Sequence, residues 1–180
     1  MSREDLILPD CYIFTAHEKT DPVLGKTFYV YDEYTATKLK TVFLQHFVIE
    51  MIRKNVLRGF YIQDVPLNHE ILMTCDHGSV QVTLLDLRTD SKTYLKHVTV
   101  KLSQSDMKHL YFPGGVAYAV LSLEDYSNLY CMSNQLIVSS MNRIINVFDP
   151  QLNCLWPDNV VMSVLERTAP ALDELPHNYW

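Results

Sequence analysis

Glycine, basic residues and long apolar runs are all scarce in this sequence, and each shortage excludes a class of protein. Only 5 of the 180 residues are glycine, and no GxGxxG or GxxxxGK loop is present, so the common phosphate-cradling loops are excluded. Lysine and arginine total 15 against 21 acidic residues, and the net charge of −6 argues against a nucleic-acid-binding protein. No apolar run approaches the roughly 18 residues that cross a bilayer, and the first residues lack a secretory apolar region. We therefore expect a cytoplasmic protein that binds neither nucleic acid nor membrane.

Metal-binding and disulfide-forming patterns are missing as well. The seven histidines form no HxH, HExxH or HxxxH pair, and the four cysteines form no CxxC pair. Scattered cysteines without a secretory signal are typical of reduced thiols. The sequence also lacks the GxSxG motif of a serine nucleophile. We therefore expect neither a metal nor another cofactor.

Tyrosine, by contrast, is abundant, and its 11 copies favour pleated β-surfaces and pockets that need a ring with a polar tip. The length predicts one domain over residues 1–180, since domains average about 150 residues. Short helices are predicted at 33–44 and at 158–167, the second with Asp158 as its N-cap. Apolar and alternating segments predict strands at 28–31, 43–52, 56–63, 80–84, 98–102, 110–112, 116–121, 129–132 and 144–148. Many short strands with few helices predict a sandwich or a jelly-roll barrel.

A cluster of cations stands out in the first third of this acidic chain. Arg53 and Lys54 are typical of a solvated turn, whereas Arg58 is enclosed by apolar neighbours within a predicted strand. An arginine on such a face often binds phosphate or carboxylate in a bidentate manner. The two-residue period of a strand predicts that Arg58 shares a face with Phe60, and that Tyr61 lies on the opposite face.

Short blocks of sequence follow one another in a characteristic order over roughly residues 22 to 175. They are VLRGFYIQ at 56–63, GSVQV at 78–82, DLR at 86–88, LS at 102–103, FPGGVAYAV at 112–120, DPQL at 149–152, LWP at 155–157, and AP at 169–170 followed by Leu172. In this order the blocks resemble the dTDP-4-dehydrorhamnose 3,5-epimerase family. The resemblance implies an all-β, cupin-type double-stranded β-helix (a jelly roll) with a few short helices.

The resemblance also implies a metal-independent proton transfer on a nucleotide-linked 4-keto sugar. In the family, a histidine oriented by an aspartate removes a proton beside the carbonyl, and a tyrosine returns one on the other face. By position, Tyr61 stands where the family has this histidine, and Glu166 stands where it has the aspartate. Tyr130 matches the catalytic tyrosine if one upstream residue is deleted. These three residues are the candidate catalytic residues.

The same resemblance supplies candidate substrate-binding residues and a partner. Arg58 and Lys26 would hold the diphosphate of a nucleotide sugar, as arginines do in the family. Gln63 and Tyr118 would line the sugar site, with Tyr118 at the position of a second family histidine. The position of His69 in the sequence is only weak evidence that it lies at the mouth of the pocket. The family also implies a homodimer that exchanges an N-terminal strand.

Tyrosine in place of the basic histidine changes the expected chemistry. The phenol has an ordinary pKa near 10 and the imidazole one near 6.5, so Tyr61 would be a poor base at pH 7. The leading hypothesis is a nucleotide-sugar epimerase homologue of deoxysugar biosynthesis that binds a dTDP-4-keto-6-deoxyhexose. Its 3,5-epimerase activity, an isomerase reaction, would be altered or lost. The alternative is a non-catalytic cupin dimer that binds a nucleotide sugar or has a structural role, and the residues leave both open.

Overall fold

The computed structural model describes residues 2–67 and 69–175, which form two antiparallel β-sheets stacked face to face. In spatial order, the first sheet contains β1 (Arg3–Asp5), β2 (Tyr12–Thr15), β10 (Lys108–Phe112), β7 (Ile71–His77), β12 (Ser127–Ser133) and β5 (Gln45–Met51). The second sheet contains β13 (Asn142–Ile144), β6 (Leu57–Gln63), β11 (Val116–Ser122), β8 (Ser79–Asp86) and β9 (His97–Ser103). This architecture confirms the predicted all-β, cupin-type jelly roll.

The remaining elements are short and lie outside the two large sheets. A separate hairpin contains β3 (His17–Asp21) and β4 (Gly25–Tyr29), and the helices are α1 (Glu33–Leu39) and α2 (Val164–Arg167). Single 3₁₀ turns span Ser139–Met141 and Leu172–Glu174. Among the described residues, no helix has the length and apolar character needed to cross a bilayer.

Three apolar clusters hold the sheets in place. The largest fills the space between the two sheets, and a second covers the outer face of the second sheet with the segment 145–175. The third covers the outer face of the first sheet with α1 and its flanking residues. Each fully buried large aliphatic or aromatic side chain contributes about 1.5–3 kcal/mol. Central positions of the interior cluster are held by Met73, Val82, Leu84, Leu102, Leu110 and Leu129.

Eight of the nine predicted strands overlap an observed strand over at least two residues, while four observed strands have no predicted counterpart. The unpredicted strands are β1, β2, β3 and β7. Strand β7 is central in its sheet, and its first five residues are all buried. Such a strand shows no alternation of polar and apolar residues, so the period-two pattern cannot reveal it.

Both helix predictions extend too far, for different reasons. The helix predicted at 158–167 begins only at Val164, because the preceding residues are extended: Val161 donates its amide proton to the carbonyl of Asn55 at 2.7 Å. Its N-cap is therefore Ser163 and not Asp158. The helix predicted at 33–44 ends at Leu39, because the next residue adopts a left-handed conformation that closes the helix.

The strand predicted at 144–148 is wrong beyond its first residue. Strand β13 ends at Ile144, where its regular pairing with β6 also ends. Ile145 still exchanges two backbone hydrogen bonds with Phe60, at 2.9 and 3.1 Å. The regular ladder stops here because the partner strand itself is irregular at this point.

That irregularity is a β-bulge centred on Gly59. Tyr118 pairs with Tyr61 and Val120 pairs with Arg58, so β6 carries one more residue than β11 between these two pairs. Gly59 has φ of +109°, and a Cβ atom there would lie 2.5 Å from the carbonyl oxygen of Tyr118. No other residue type fits this close approach of two backbones.

The bulge changes which face of the sheet the side chains of β6 occupy. Phe60 points to the cluster on the outer face of the sheet, whereas Arg58 and Tyr61 both line the space between the sheets. The expectation that Arg58 shares a face with Phe60 is therefore wrong. The extra residue shifts the two-residue period by one position after Gly59.

Replacing Gly59 with alanine is expected to lower the free energy of unfolding by roughly 2–5 kcal/mol, because the new Cβ overlaps backbone atoms and the φ angle is unfavourable. Gly25→Ala is the matched control, since Gly25 has φ of +96° but no heavy atom within 4 Å of its added Cβ. The control should lose only about 1–2 kcal/mol. Urea unfolding of the two variants measures the difference. Equal losses would show that the close approach at Gly59 carries no steric cost.

Candidate functional site

A cavity of about 680 Å³ opens between strand β5 and the facing strands β6 and β11. Its volume is typical of small-molecule sites, which measure about 300–1,000 Å³. One wall is apolar and consists of the inward-facing residues Phe47, Ile49 and Met51 of β5. The opposite wall carries most of the polar groups, so a bound molecule would contact an apolar surface on one side and a polar surface on the other.

Arg58, Tyr61 and Tyr118 form the polar wall. The bulge at Gly59 brings Arg58 and Tyr61 to the same face, and cross-strand pairing places Tyr118 directly beside Tyr61. The two tyrosine rings have centroids 5.6 Å apart, and Phe112 lies 5.5 Å from the second ring. The two tyrosines, both predicted to lie in the site, therefore form one aromatic surface beside a guanidinium group.

Tyr61 donates a hydrogen bond of 2.5 Å to Oε1 of Glu166, which lies 105 residues away in the sequence. Glu166 is only 6% exposed, and helix α2 positions it through a capping box. Its Oε2 accepts hydrogen bonds from the hydroxyl and the backbone amide of Ser163. The carboxylate is thus fixed through one oxygen and available to Tyr61 through the other.

This pairing shifts both acid–base equilibria. Burial raises the pKa of Tyr61 to about 12, the hydrogen bond to Glu166 adds to the rise, and Arg58 offsets part of it. Burial alone would also raise the pKa of Glu166, but hydrogen bonds from Ser163 and Tyr61 outweigh burial and hold this pKa below its ordinary value. At neutral pH the pair is therefore a neutral phenol that donates to a carboxylate.

Tyr118 is also a neutral phenol at physiological pH. Burial raises its pKa well above the ordinary value, and the nearby Cys131 thiol and Tyr61 add to the rise. Tyr118 and Tyr61 thus provide two uncharged rings with polar tips at the middle of the cavity. Neither is a base at neutral pH.

The end of the cavity at Gln63 has a separate set of polar groups. Gln63 donates from Nε2 to Oδ1 of Asn142 at 3.0 Å, and its Oε1 accepts from the amide of Val138 at 3.2 Å. Gln63 lines the cavity, and its side-chain amide also links β13 to β6. His69 lies at the same end, and its Nε2 is 2.7 Å from the hydroxyl oxygen of Ser133.

Two of the predicted site residues lie outside this cavity. Tyr130 belongs to the cluster on the outer face of the first sheet, and its hydroxyl lies 2.7 Å from Nδ1 of His46. The interior positions of β12 are Leu129 and Cys131, because side chains alternate along the strand. The predicted use of Tyr130 as the proton donor in this cavity is thus incorrect. Lys26 lies in the β3–β4 hairpin, where its ammonium pairs with Glu18 at 2.9 Å.

The cavity carries little positive charge. Among the described residues that line it, Arg58 is the one permanent cation, whereas Glu50 and Glu166 are both carboxylates. Within the described residues, no three histidine, cysteine, aspartate or glutamate side chains are grouped closely enough to hold a metal ion. The chemistry that these residues themselves provide is anion contact at Arg58, hydrogen bonding by phenols, and acid–base exchange at His69.

Comparison with known proteins identifies the family of this chain. The model of the dTDP-4-dehydrorhamnose 3,5-epimerase family matches residues 5–174. The chain belongs to this family. The resemblance seen in the sequence blocks is therefore confirmed over nearly the whole chain.

Similar members of the epimerase family are found in Salmonella typhimurium and Streptomyces griseus. The dTDP-4-dehydrorhamnose 3,5-epimerase of Salmonella typhimurium is 31% identical over 125 residues, which are 68% of this chain and 68% of that protein. The dTDP-4-dehydrorhamnose 3,5-epimerase of Streptomyces griseus is 29% identical over 125 residues. This match spans 68% of this chain and 62% of that relative.

A solved structure from the same family shares the fold. The dTDP-6-deoxy-D-glucose 3,5-epimerase of Legionella pneumophila, in complex with dTDP-4-keto-L-rhamnose, has a TM-score of 0.89 against this chain. The two chains are 20% identical, and the superposition covers 97% of this chain and 94% of the other. The jelly roll is therefore retained although most residues differ.

Several features of the site have no signal that sequence reasoning could have used. The contact between Tyr61 and Glu166 joins distant segments, and only the resemblance to the epimerase family placed both residues in one site. The Gly59 bulge interrupts a strand that otherwise reads as regular. His69 enters the cavity because the short turn after β6 brings it back beside β12.

The ionisation of Tyr61 offers a direct check of this site. We expect its pKa to be about 12 in the wild type, and to fall in Glu166→Gln because the neutral amide no longer opposes a phenolate. Glutamine can still complete the capping box, so α2 should be retained. Carbon-13 labelling of the tyrosine ring Cζ, followed by NMR titration, measures the change, and Tyr61→Phe identifies the signal. A wild-type Tyr61 that titrates at or below its ordinary value would contradict the assigned hydrogen bond.

Proposed function

We propose that this cavity binds a dTDP-linked 4-keto-6-deoxyhexose and that the 3,5-epimerase activity of the family is altered or lost in this chain. The observation that carries the proposal is the joint presence of Arg58, Tyr61 and Tyr118 on one cavity wall. Membership in the epimerase family and the dTDP-4-keto-L-rhamnose complex of the Legionella relative support the ligand class.

In the proposed complex, the diphosphate lies against Arg58, whose guanidinium can donate two parallel hydrogen bonds to phosphate oxygens. The sugar ring lies against the rings of Tyr61 and Tyr118, which donate hydrogen bonds to its oxygens. The apolar wall formed by β5 then faces the methyl group that a 6-deoxy sugar carries. This orientation matches the polar and apolar faces of the cavity to those of the ligand.

The proposed change in activity follows from the protonation state of Tyr61. Epimerisation beside a carbonyl requires a base that is unprotonated at the working pH. With a pKa of about 12, the Tyr61 phenol is almost entirely protonated at pH 7. Its proton is directed to Glu166, whose other oxygen is occupied by Ser163. The pair can therefore hold a sugar, but it does not reproduce a histidine–aspartate base.

The same proposal includes a homodimer in the cytoplasm. The β3–β4 hairpin is almost entirely exposed, and within residues 2–67 and 69–175 it pairs with no other strand. An exchanged N-terminal segment would carry Lys26 from one subunit toward the cavity of the other. A second cation of this kind would compensate for the excess of carboxylates around Arg58. The cytoplasm is a reducing compartment, in which the four free cysteines would remain thiols.

Arg58→Gln should weaken the binding of dTDP by about 10- to 100-fold, because a charge-assisted hydrogen bond contributes about 1.5–3 kcal/mol. Arg53→Gln is the matched control, since Arg53 lies in the adjoining turn with an exposed side chain, and should leave the dissociation constant unchanged. Isothermal titration calorimetry with dTDP measures both. If the wild type binds no dTDP, the structural dimeric cupin becomes the better interpretation.

Tyr61→His should increase proton exchange in the cavity by about tenfold or more, since an imidazole near Glu166 restores a base with a pKa close to 7. The measurement is deuterium incorporation at C3 and C5 of dTDP-4-keto-6-deoxyglucose in deuterated water, followed by NMR. Tyr61→Phe, which removes the hydroxyl without supplying a base, is the control. A Tyr61→His rate no higher than that of the wild type would contradict the view that Tyr61 limits the reaction.

A further inference from the structure

His69 differs from the other histidines in the described part of the chain. It is 8% exposed and lines the cavity, whereas the fully buried His109 lies outside the cavity lining and His17, His46 and His77 are exposed at the surface. Among the described residues that line the cavity, His69 is the one imidazole. It follows β6 through a short turn and immediately precedes β7.

Hydrogen bonds around Ser133 determine the tautomer of this imidazole. The hydroxyl of Ser133 donates its single proton to the carbonyl oxygen of Gln135 at 2.7 Å. The hydroxyl oxygen of Ser133 in turn accepts a hydrogen bond from the backbone amide of Gln135 at 3.2 Å. The contact of 2.7 Å between Ser133 and Nε2 of His69 must then be donated by the imidazole. The proton lies on Nε2, and the lone pair of the neutral ring lies on Nδ1.

The surroundings keep this ring neutral. Burial lowers the pKa of His69 below its ordinary value, and the interaction with the backbone of Gln135 offsets part of that effect. The charged groups that line the same cavity are Arg58, Glu50 and Glu166. A neutral imidazole in a cavity, held by its Nε2–H, has the form required of a general base.

We propose that His69 is the proton acceptor of this cavity, and that Ser133 positions it. This inference rests on the proposed function, because it assumes that a 4-keto sugar occupies the cavity. It assigns the base to a residue that is separate from the Tyr61–Glu166 pair but lines the same cavity. An altered site of deprotonation on the sugar is the expected consequence.

The step conserves atoms and electrons. Nδ1 of His69 takes a proton from a carbon beside the C4 carbonyl, the C–H bond breaks, and its electron pair delocalises onto the carbonyl oxygen as an enolate. When the carbonyl re-forms, the carbon takes back a proton, either from the imidazolium or from a phenol on the opposite face. Return from the imidazolium gives isotope exchange alone, whereas return from Tyr61 or Tyr118 gives the epimer, after which solvent restores both groups. No oxidant, reductant or further reactant is consumed.

The pH dependence of exchange distinguishes His69 from Tyr61 in the unmodified protein. If His69 is the base, deuterium incorporation into dTDP-4-keto-6-deoxyglucose should be constant from pH 7 to 9 and fall below pH 6 as the imidazole is protonated. If the Tyr61 phenolate is the base, the rate should rise about tenfold per pH unit through the same range, because its pKa is about 12. Exchange without protein at each pH is subtracted.

Variants then test the residue itself. His69→Gln should lower the exchange rate by about 100-fold or more, which is the usual contribution of a general base. Its dissociation constant for dTDP should stay within about threefold of the wild type, because the assigned role is in proton transfer. Ser133→Ala should lower the rate by a smaller factor and displace the acidic limb of the pH profile. His77→Gln, at an exposed position, is the matched control and should change neither quantity.

Each result has a defined meaning. The assignment of His69 is overturned if the deuterium-exchange rate of His69→Gln is within threefold of the wild-type rate. It is also overturned if the wild-type rate rises steadily up to pH 9. Binding of dTDP without exchange at any pH also overturns it, but leaves the proposed ligand intact. Absence of dTDP binding overturns the proposed function itself. If His69→Gln does not fold, the wild-type pH profile and Ser133→Ala still decide the question.

Discussion

The backbone of β6 passes so close to β11 at Gly59 that a side chain there would overlap the carbonyl oxygen of Tyr118. This contact is part of the bulge that inserts one extra residue between the two flanking pairs of the ladder. Because the extra residue shifts the alternation of side chains, Arg58 and Tyr61 both face the cavity. Without the bulge, one of them would point into the outer cluster. The composition of the polar wall therefore depends on one backbone irregularity.

The acid–base groups of the cavity differ from those that the family resemblance implies. A phenol paired with a carboxylate is stable because the phenol supplies the proton and the carboxylate accepts it, with Glu166 fixed further by the cap of α2. The cost is that neither partner is a free base near pH 7. The imidazole that lines the same cavity is that of His69, which is buried and lies 2.7 Å from the hydroxyl oxygen of Ser133. In the function proposed above, binding and proton transfer would therefore depend on different residues of one cavity.

Sequence reasoning succeeded where a local pattern reflects the final environment. Strands β8 and β9 were both predicted close to their observed bounds, and β9 alternates because one of its faces is exposed and the other is buried. It failed at β7, which is buried on both faces, and at Tyr130, where an assumed deletion moved the residue to the wrong face of β12. A shift of one residue in a strand exchanges inside and outside, so an alignment without a structure cannot decide such a position.

The sequence by itself determined the family and the all-β jelly roll, because both are recorded in contiguous blocks whose order along the chain is directly visible. Only the tertiary structure decided which side chains meet: Tyr61 with Glu166, and His69 with Ser133. These contacts join segments 105 and 64 residues apart. Their geometry depends on sheet register, on a bulge and on the path of two connecting segments. Such properties arise from packing across the whole domain, and no local sequence pattern records them.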